Sequence, residues 1–202
     1  MKRIISFTGP MGSGKSTIAK SLYGKLDNCM IIPMAGIAKQ CVEIITGVQM
    51  NERQPDGSYD FSRKQKEKVL PSGMPLGAFI RDFAEHVRLI DKFIWIDATF
   101  NIIESSNHDN YIIPDVRMLS EWKFLNSLND SDGYTSFIFR ILPEPSLLDI
   151  IPKLNDGRDT SHNTENELNS AGVDAVYYNS LGEDNIRRIS NDMYNFMHRF
   201  FP

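Results

Sequence analysis

The stretch GPMGSGKST, residues 9–17, constrains this chain more than any other. Gly9, Gly14, Lys15 and Ser16 fit the spacing G-x-x-x-x-G-K-[ST], with the β-branched and aromatic run RIISFTG in front and the helical-period segment KSTIAKSLYGKL behind. A strand, a tight turn and a helix are predicted in that order. Gly9, Gly12 and Gly14 let the backbone curl around an anion, where amide N–H groups and the positive helix end favour phosphate. Lys15 is expected to reach the β and γ phosphates of a nucleoside triphosphate, and the Ser16 hydroxyl to ligate Mg²⁺. Gly9, Gly12, Ser13, Gly14, Lys15, Ser16 and Thr17 form the expected nucleotide-binding set, with Thr17 in the first helical turn. ATP and Mg²⁺ are the expected cofactors. A plain glycine-rich turn is the weaker reading.

The rest of the chain alternates strand and helix signals. NCMIIPM reads as a second strand, and AGIAKQCVEIITG places Ile37, Cys41, Ile44 and Ile45 on one helical face with a glycine stop. From Val48 to Ser72 the sequence is polar and punctuated by Pro, Gly and Asp, which predicts an exposed excursion. PLGAFIRDFAEHVRLI restores the helical period through Leu76, Phe79, Ile80, Phe83 and Val87, with Pro75 suited to the first turn. DKFIWIDATFNIIESS is predicted helical from its length and its Phe93, Ile96, Phe100, Ile103 spacing. YIIPDVR, YTSFIFRIL and DAVYYNSL are further strands; SEWKFLNSL and EDNIRRISNDMYNFMHRFF are helices, the last with Ile186, Ile189, Met193, Phe196 and Met197 on its packing face. Strands separated by helices predict an α/β fold, a three-layer α/β/α arrangement on a parallel sheet with right-handed crossovers. A single domain is expected over residues 1–202. A second excursion, within residues 143–172, is rich in Pro, Asn and Asp and suits a lid.

The formal net charge of −4 offers no field for a nucleic-acid backbone, so no polynucleotide partner is expected. No run approaches the roughly 20 apolar residues that cross a bilayer, and no signal peptide is evident. The expectation is a soluble, cytoplasmic protein without a membrane partner. Cys29 and Cys41 lack metal or disulfide spacing and read as buried thiols in a reducing compartment. His86, His108 and His198 are scattered and suggest no metal site, and His162 reads as an exposed loop residue.

YIIPDVRMLSEW, residues 111–122, is the second informative stretch. An acid at the carboxyl end of a strand lies at the ligand-binding edge of an open α/β sheet. Asp115 is a candidate for holding Mg²⁺ through water or for orienting an acceptor, and Arg117 for gripping a phosphate with its planar fork. A surface acid–base pair ending a strand explains the stretch nearly as well. Asp97 in FIWID has a similar context but lies in a helical period. Trp95 and Phe100 are candidates for stacking on an acceptor base, although aromatics at helical spacing are more often core.

With GPMGSGKST, with DKFIWIDATFN preceding YIIPDVRMLSEW, and with DTSHNTENELNSAGVDAVYYNSLG near the end, the chain resembles the phage-type deoxynucleoside monophosphate kinases. These are P-loop enzymes that transfer phosphate from ATP to deoxynucleoside monophosphates, and the matching order covers most of the chain. Asp115, Arg117 and Glu121 are similar to the family's Asp-x-Arg with a downstream Glu. The resemblance implies a P-loop kinase fold with an acceptor-binding region at residues 48–90, a lid at 143–172 and a small nucleotide as substrate, in the host cytoplasm for a phage protein. It implies that Arg117 binds the acceptor phosphate and that Mg²⁺ and geometry are managed around Asp115. Arg158 in the lid, with Arg140, would neutralise charge on the transferred group, and Lys15, Asp115, Arg117 and Arg158 form the implied catalytic set. Arg81 and Arg88 lie where the family presents acceptor-binding residues, with Arg88 the better candidate; a homodimer is left open. FIRDFAEHVR lacks the Leu-Gln and Gly-Thr pairs expected in that helix, so the base is not carried over. A phosphomevalonate kinase-like enzyme and a slowly hydrolysing P-loop switch are the alternatives.

Overall fold

A computed structural model describes residues 1–10, 12–48, 68–145, 168, 170–180 and 182–200. The chain divides into two compact units, one of Met1–Met30 with His108–Pro202 and one of Ile31–Asn107. Most of the 49–72 excursion and of the expected lid, with Arg158 and His162, lies outside the described residues.

The first unit is organised on a parallel sheet. Strand β1 (Lys2–Thr8) leads through helix α1 (Lys15–Tyr23) to β2 (Cys29–Ile31). Later in the chain β3 (Asn110–Ile113), α5 (Leu119–Ser127), β4 (Tyr134–Pro143), β5 (Ala175–Asn179) and α6 (Glu183–Phe200) follow in turn. The strand order is β2-β3-β1-β4-β5, all parallel. In register, Ser6 lies beside Ile113 on one flank and Ile138 on the other. The step from β1 through α1 moves to one side of the sheet, and the step from β3 through α5 moves to the other. Because such crossovers are right-handed, α1 and α5 cover opposite faces, the three-layer α/β/α arrangement expected from the sequence.

Strands buried on both faces need near-continuous apolar runs, and β1 supplies one. Ile4, Ile5 and Phe7 are fully buried, as are Ile112, Phe139 and Ile141 in its neighbours. Each such side chain contributes about 1.5–3 kcal/mol by leaving water. Helix α6 packs through Ile189, Met193 and Met197, and Phe196 meets Phe137 and Phe139 edge-on at 6.2 and 5.7 Å between ring centroids. It also reaches α1, where the Ser21 and Ser190 hydroxyls lie 2.8 Å apart. Cys29 is buried, and desolvation pushes its thiol up to about 12, whereas Cys41 is only half-buried.

The second unit holds α2 (Met34–Thr46), α3 (Leu76–Ile90) and α4 (Ile94–Ser105). Val42 and Leu76 form its centre, with Val48, Leu70, Phe79, Ile80 and Phe83 packed around them. The period predicted for α3 is thus the one that packs, and Gly47 stops α2 at φ 66°. The predicted face of α2 is not. Its buried residues are Met34, Gly36, Ala38 and Val42, while Ile44 and Ile45 are 83% and 60% exposed. Apolar residues occur on more than one side of this helix, and the contact between Val42 and Leu76 decides which side faces the core. In α4 the expected Ile96 and Ile103 are buried, joined by Trp95 and Thr99, while Phe93 stands before the helix and is 39% exposed.

Candidate functional site

Adjacent strands β1 and β4 send their outgoing connections in opposite directions, to β2 and to β5. In an open parallel sheet a ligand crevice forms at the carboxyl ends of such strands. The loop after β1 starts there. Gly9, Gly12 and Gly14 all have positive φ, at 132°, 80° and 88°. At Gly9 the reason is also steric, because a Cβ would fall 2.0 Å from the backbone oxygen of Ile141 in β4. The first helical bond of α1 runs from Ile18 N–H to Gly14 O at 2.9 Å. The amides of the turn before it are those an α-helix leaves without a helical carbonyl, and no acidic residue stands in that turn to offset their positive field.

Lys15 is only 9% exposed, and its ammonium donates to Gly9 O at 2.7 Å, Pro10 O at 2.6 Å and the Ser13 hydroxyl at 3.3 Å. The cation is therefore gathered into the loop instead of extending into solvent. Ser13 is buried, while Ser16 and Thr17 at the helix start are exposed. The Ser16 hydroxyl is thus open to a ligand from outside the chain.

Asp115 and Arg117 join this edge. Their turn is fastened to β1 by Val116 N–H donating to Phe7 O at 3.0 Å, two residues before Gly9. Glu121, 3% exposed in the first turn of α5, accepts the backbone N–H groups of Arg117 at 2.8 Å and Met118 at 3.0 Å. One buried carboxylate so caps the helix and fixes the backbone from which the Arg117 side chain departs. Both Asp115 and Arg117 are half-buried.

Asn179, at the carboxyl end of β5, also meets the loop, its amide donating to Ser13 O at 2.9 Å. It is absent from the residues singled out by sequence. The signal that would have found it is the rule applied to Asp115, a polar residue closing a strand at the ligand edge.

Two expectations, those for Trp95 and Arg140, are corrected by the geometry. Trp95 is 5% exposed, donates its indole N–H to Ala84 O at 3.1 Å and packs on Phe83, so its ring has no open face for a base. Arg81 is exposed and paired with its neighbour Asp82 at 3.1 Å. Arg140 lies on the sheet, and its guanidinium donates to Leu168 O and, at 2.8 Å, to Ala171 O, so it is engaged in holding a turn. Burial lowers its affinity for the proton, an added reason for it to keep these carbonyl partners. Arg88 is half-buried near the end of α3, and Asp97 stands exposed in the first turn of α4. Arg81, Arg88 and Trp95 belong to the second unit, and the loop, Asp115, Arg117 and Asn179 to the first.

Among the described residues no three His, Cys, Asp or Glu side chains cluster as a metal site. A Mg²⁺ held by triphosphate oxygens, water and one hydroxyl requires no such cluster, and Ser16, exposed at the helix start, carries a hydroxyl of that kind. The residues present therefore fit ATP with Mg²⁺. Among the described residues no helix is long and apolar enough to cross a membrane.

No protein-family model matches the sequence, and no curated protein is similar to it. Among solved structures, TT1252 from Thermus thermophilus is similar over 96% of this chain and 97% of its own, with a TM-score of 0.53 and 13% identity. The two share a fold. At that identity the likeness carries the architecture alone, a parallel sheet flanked by helices.

Proposed function

We propose that this protein is an ATP- and Mg²⁺-dependent kinase that transfers the γ-phosphoryl group to a deoxynucleoside monophosphate, giving the diphosphate and ADP. The observation that carries the reading is the loop of residues 9–15, where left-handed glycines and an inward-gathered Lys15 open onto the start of a helix. Phosphoryl transfer asks little covalent chemistry of a protein, and its rate comes from alignment and charge neutralisation. Lys15 and the loop amides hold the triphosphate in this reading, with the Ser16 hydroxyl as the protein's Mg²⁺ ligand. The metal supplies neutralisation of the β and γ oxygens when bound. Arg117, its backbone pinned by Glu121, grips the acceptor phosphate, and Asp115 orients the acceptor or holds metal-bound water. The deoxynucleotide acceptor rests on the sequence resemblance, and the cytoplasm, where ATP and nucleotides are found, is the proposed location.

The test is coupled ADP production with ATP and Mg²⁺ against a panel of deoxynucleoside and ribonucleoside monophosphates, with phosphomevalonate included. Turnover stimulated by one or more deoxynucleotides is expected. Stimulation by phosphomevalonate alone would replace the acceptor, and an ATPase rate indifferent to every acceptor would replace the kinase with a switch.

A further inference from the structure

The amide of Asn179 sits between two contacts that fix its orientation. Its nitrogen donates to Ser13 O at 2.9 Å, and its oxygen accepts the Asn185 amide of α6 at 2.9 Å. A carbonyl can only accept, so the nitrogen must face Ser13, and the donor from Asn185 then meets the oxygen. Asn185 is itself tied to Ser180 O at 3.1 Å, and the Asn179 carbonyl receives Glu144 N–H at 3.0 Å from the end of β4. The side chain is thus a strut from the sheet and from α6 to the loop.

The place where the strut lands has little orientation of its own. Gly14 has φ 88°, and a glycine backbone adopts positive and negative φ with similar ease, so local sterics do not fix the peptide plane between Ser13 and Gly14. A trans peptide carries its C=O and the following N–H on opposite sides. Holding Ser13 O against Asn179 therefore turns the Gly14 N–H the other way. The strut also fills the space a side chain would need, since a Cβ at Gly14 would lie 2.2 Å from the Asn179 nitrogen.

We infer that Asn179, steadied by Asn185, is a positioning residue that sets the peptide between Ser13 and Gly14 and with it the direction in which the loop presents an amide to the triphosphate. This rests on the loop being a triphosphate site. It predicts that ATP binding depends on a side chain 166 residues away from the carbonyl it holds.

The experiment compares Mg²⁺·ATP affinity and the separate KM values for ATP and acceptor in the full chain and in Lys15→Ala, Asn179→Asp and Asn185→Ala. Asn179→Asp keeps size and packing but sets an acceptor against Ser13 O. It is expected to weaken ATP binding about tenfold, with the acceptor KM unchanged, and Asn185→Ala to weaken it about threefold. Wild-type ATP affinity in Asn179→Asp, beside its loss in Lys15→Ala, overturns the strut while leaving the triphosphate site intact. Equal rises in both KM values would mark a general structural role and overturn it too. Should Asn179→Asp fail to fold, wild-type affinity in Asn185→Ala overturns the proposal. Wild-type affinity in Lys15→Ala removes the triphosphate site itself, and the strut's role with it.

Discussion

Between β1 and α1 the chain is shaped by its backbone: Gly9 passes within 2.0 Å, measured from a would-be Cβ, of the Ile141 oxygen, and Lys15 is drawn in by carbonyls of its own loop. In α3 and α4 the candidate groups are side chains; Trp95 is committed to the core, while Arg81 stands exposed in a pair with its neighbour Asp82. The difference teaches where a motif can be trusted. A site made of peptide groups is written in the glycine spacing that permits its geometry. A site made of helix side chains depends on which face of the helix the rest of the molecule covers.

The largest effect expected is on the loop. Lys15→Ala should lower phosphoryl transfer by about a thousandfold, the scale of removing one preorganised positive group from a transition state, with the fold retained. Full activity in the coupled assay would end the reading of this loop as the site. The counterpart in the helices is Trp95→Ala, which should cost about 3–5 kcal/mol of stability by denaturant titration while the acceptor KM of the residual folded enzyme holds. A rise in acceptor KM at undiminished stability would return Trp95 to the site and erase the contrast.

Gly14→Ala comes next. Positive φ and the 2.2 Å approach of the Asn179 amide should together cost about 2 kcal/mol, a fall of about 6 °C in a chain this long, along with ATP affinity. Arg117→Ala should raise the acceptor KM about tenfold, as loss of a charge-assisted phosphate contact does, with the KM for ATP unchanged. Unchanged acceptor kinetics would take Arg117 out of the site. Smallest is Arg81→Ala, an exposed pair with its neighbour, worth under about 0.5 kcal/mol in stability. A large acceptor effect there would show that α3 contributes side chains to the acceptor after all.

The order of elements and the parallel sheet were legible because strand and helix periods are local and because β–α alternation admits few topologies. The loop was legible for the same reason, since the positive φ of Gly9, Gly12 and Gly14 is a local backbone property and Lys15 bonds carbonyls within six residues of itself. Ile44 and Ile45 were misplaced because apolar residues on α2 leave two faces open to burial, and only the meeting of Val42 with Leu76 chooses between them. Asn179 was missed and Arg140 misread for a related reason: each finds its partner in another element, Asn179 at Ser13 and Arg140 at Leu168 and Ala171. Sequence alone determined the backbone conformations that the glycines permit and the alternation that builds the sheet. Tertiary structure decided which polar side chains were left to face the crevice, because a hydrogen bond between distant residues exists only once the chain has folded.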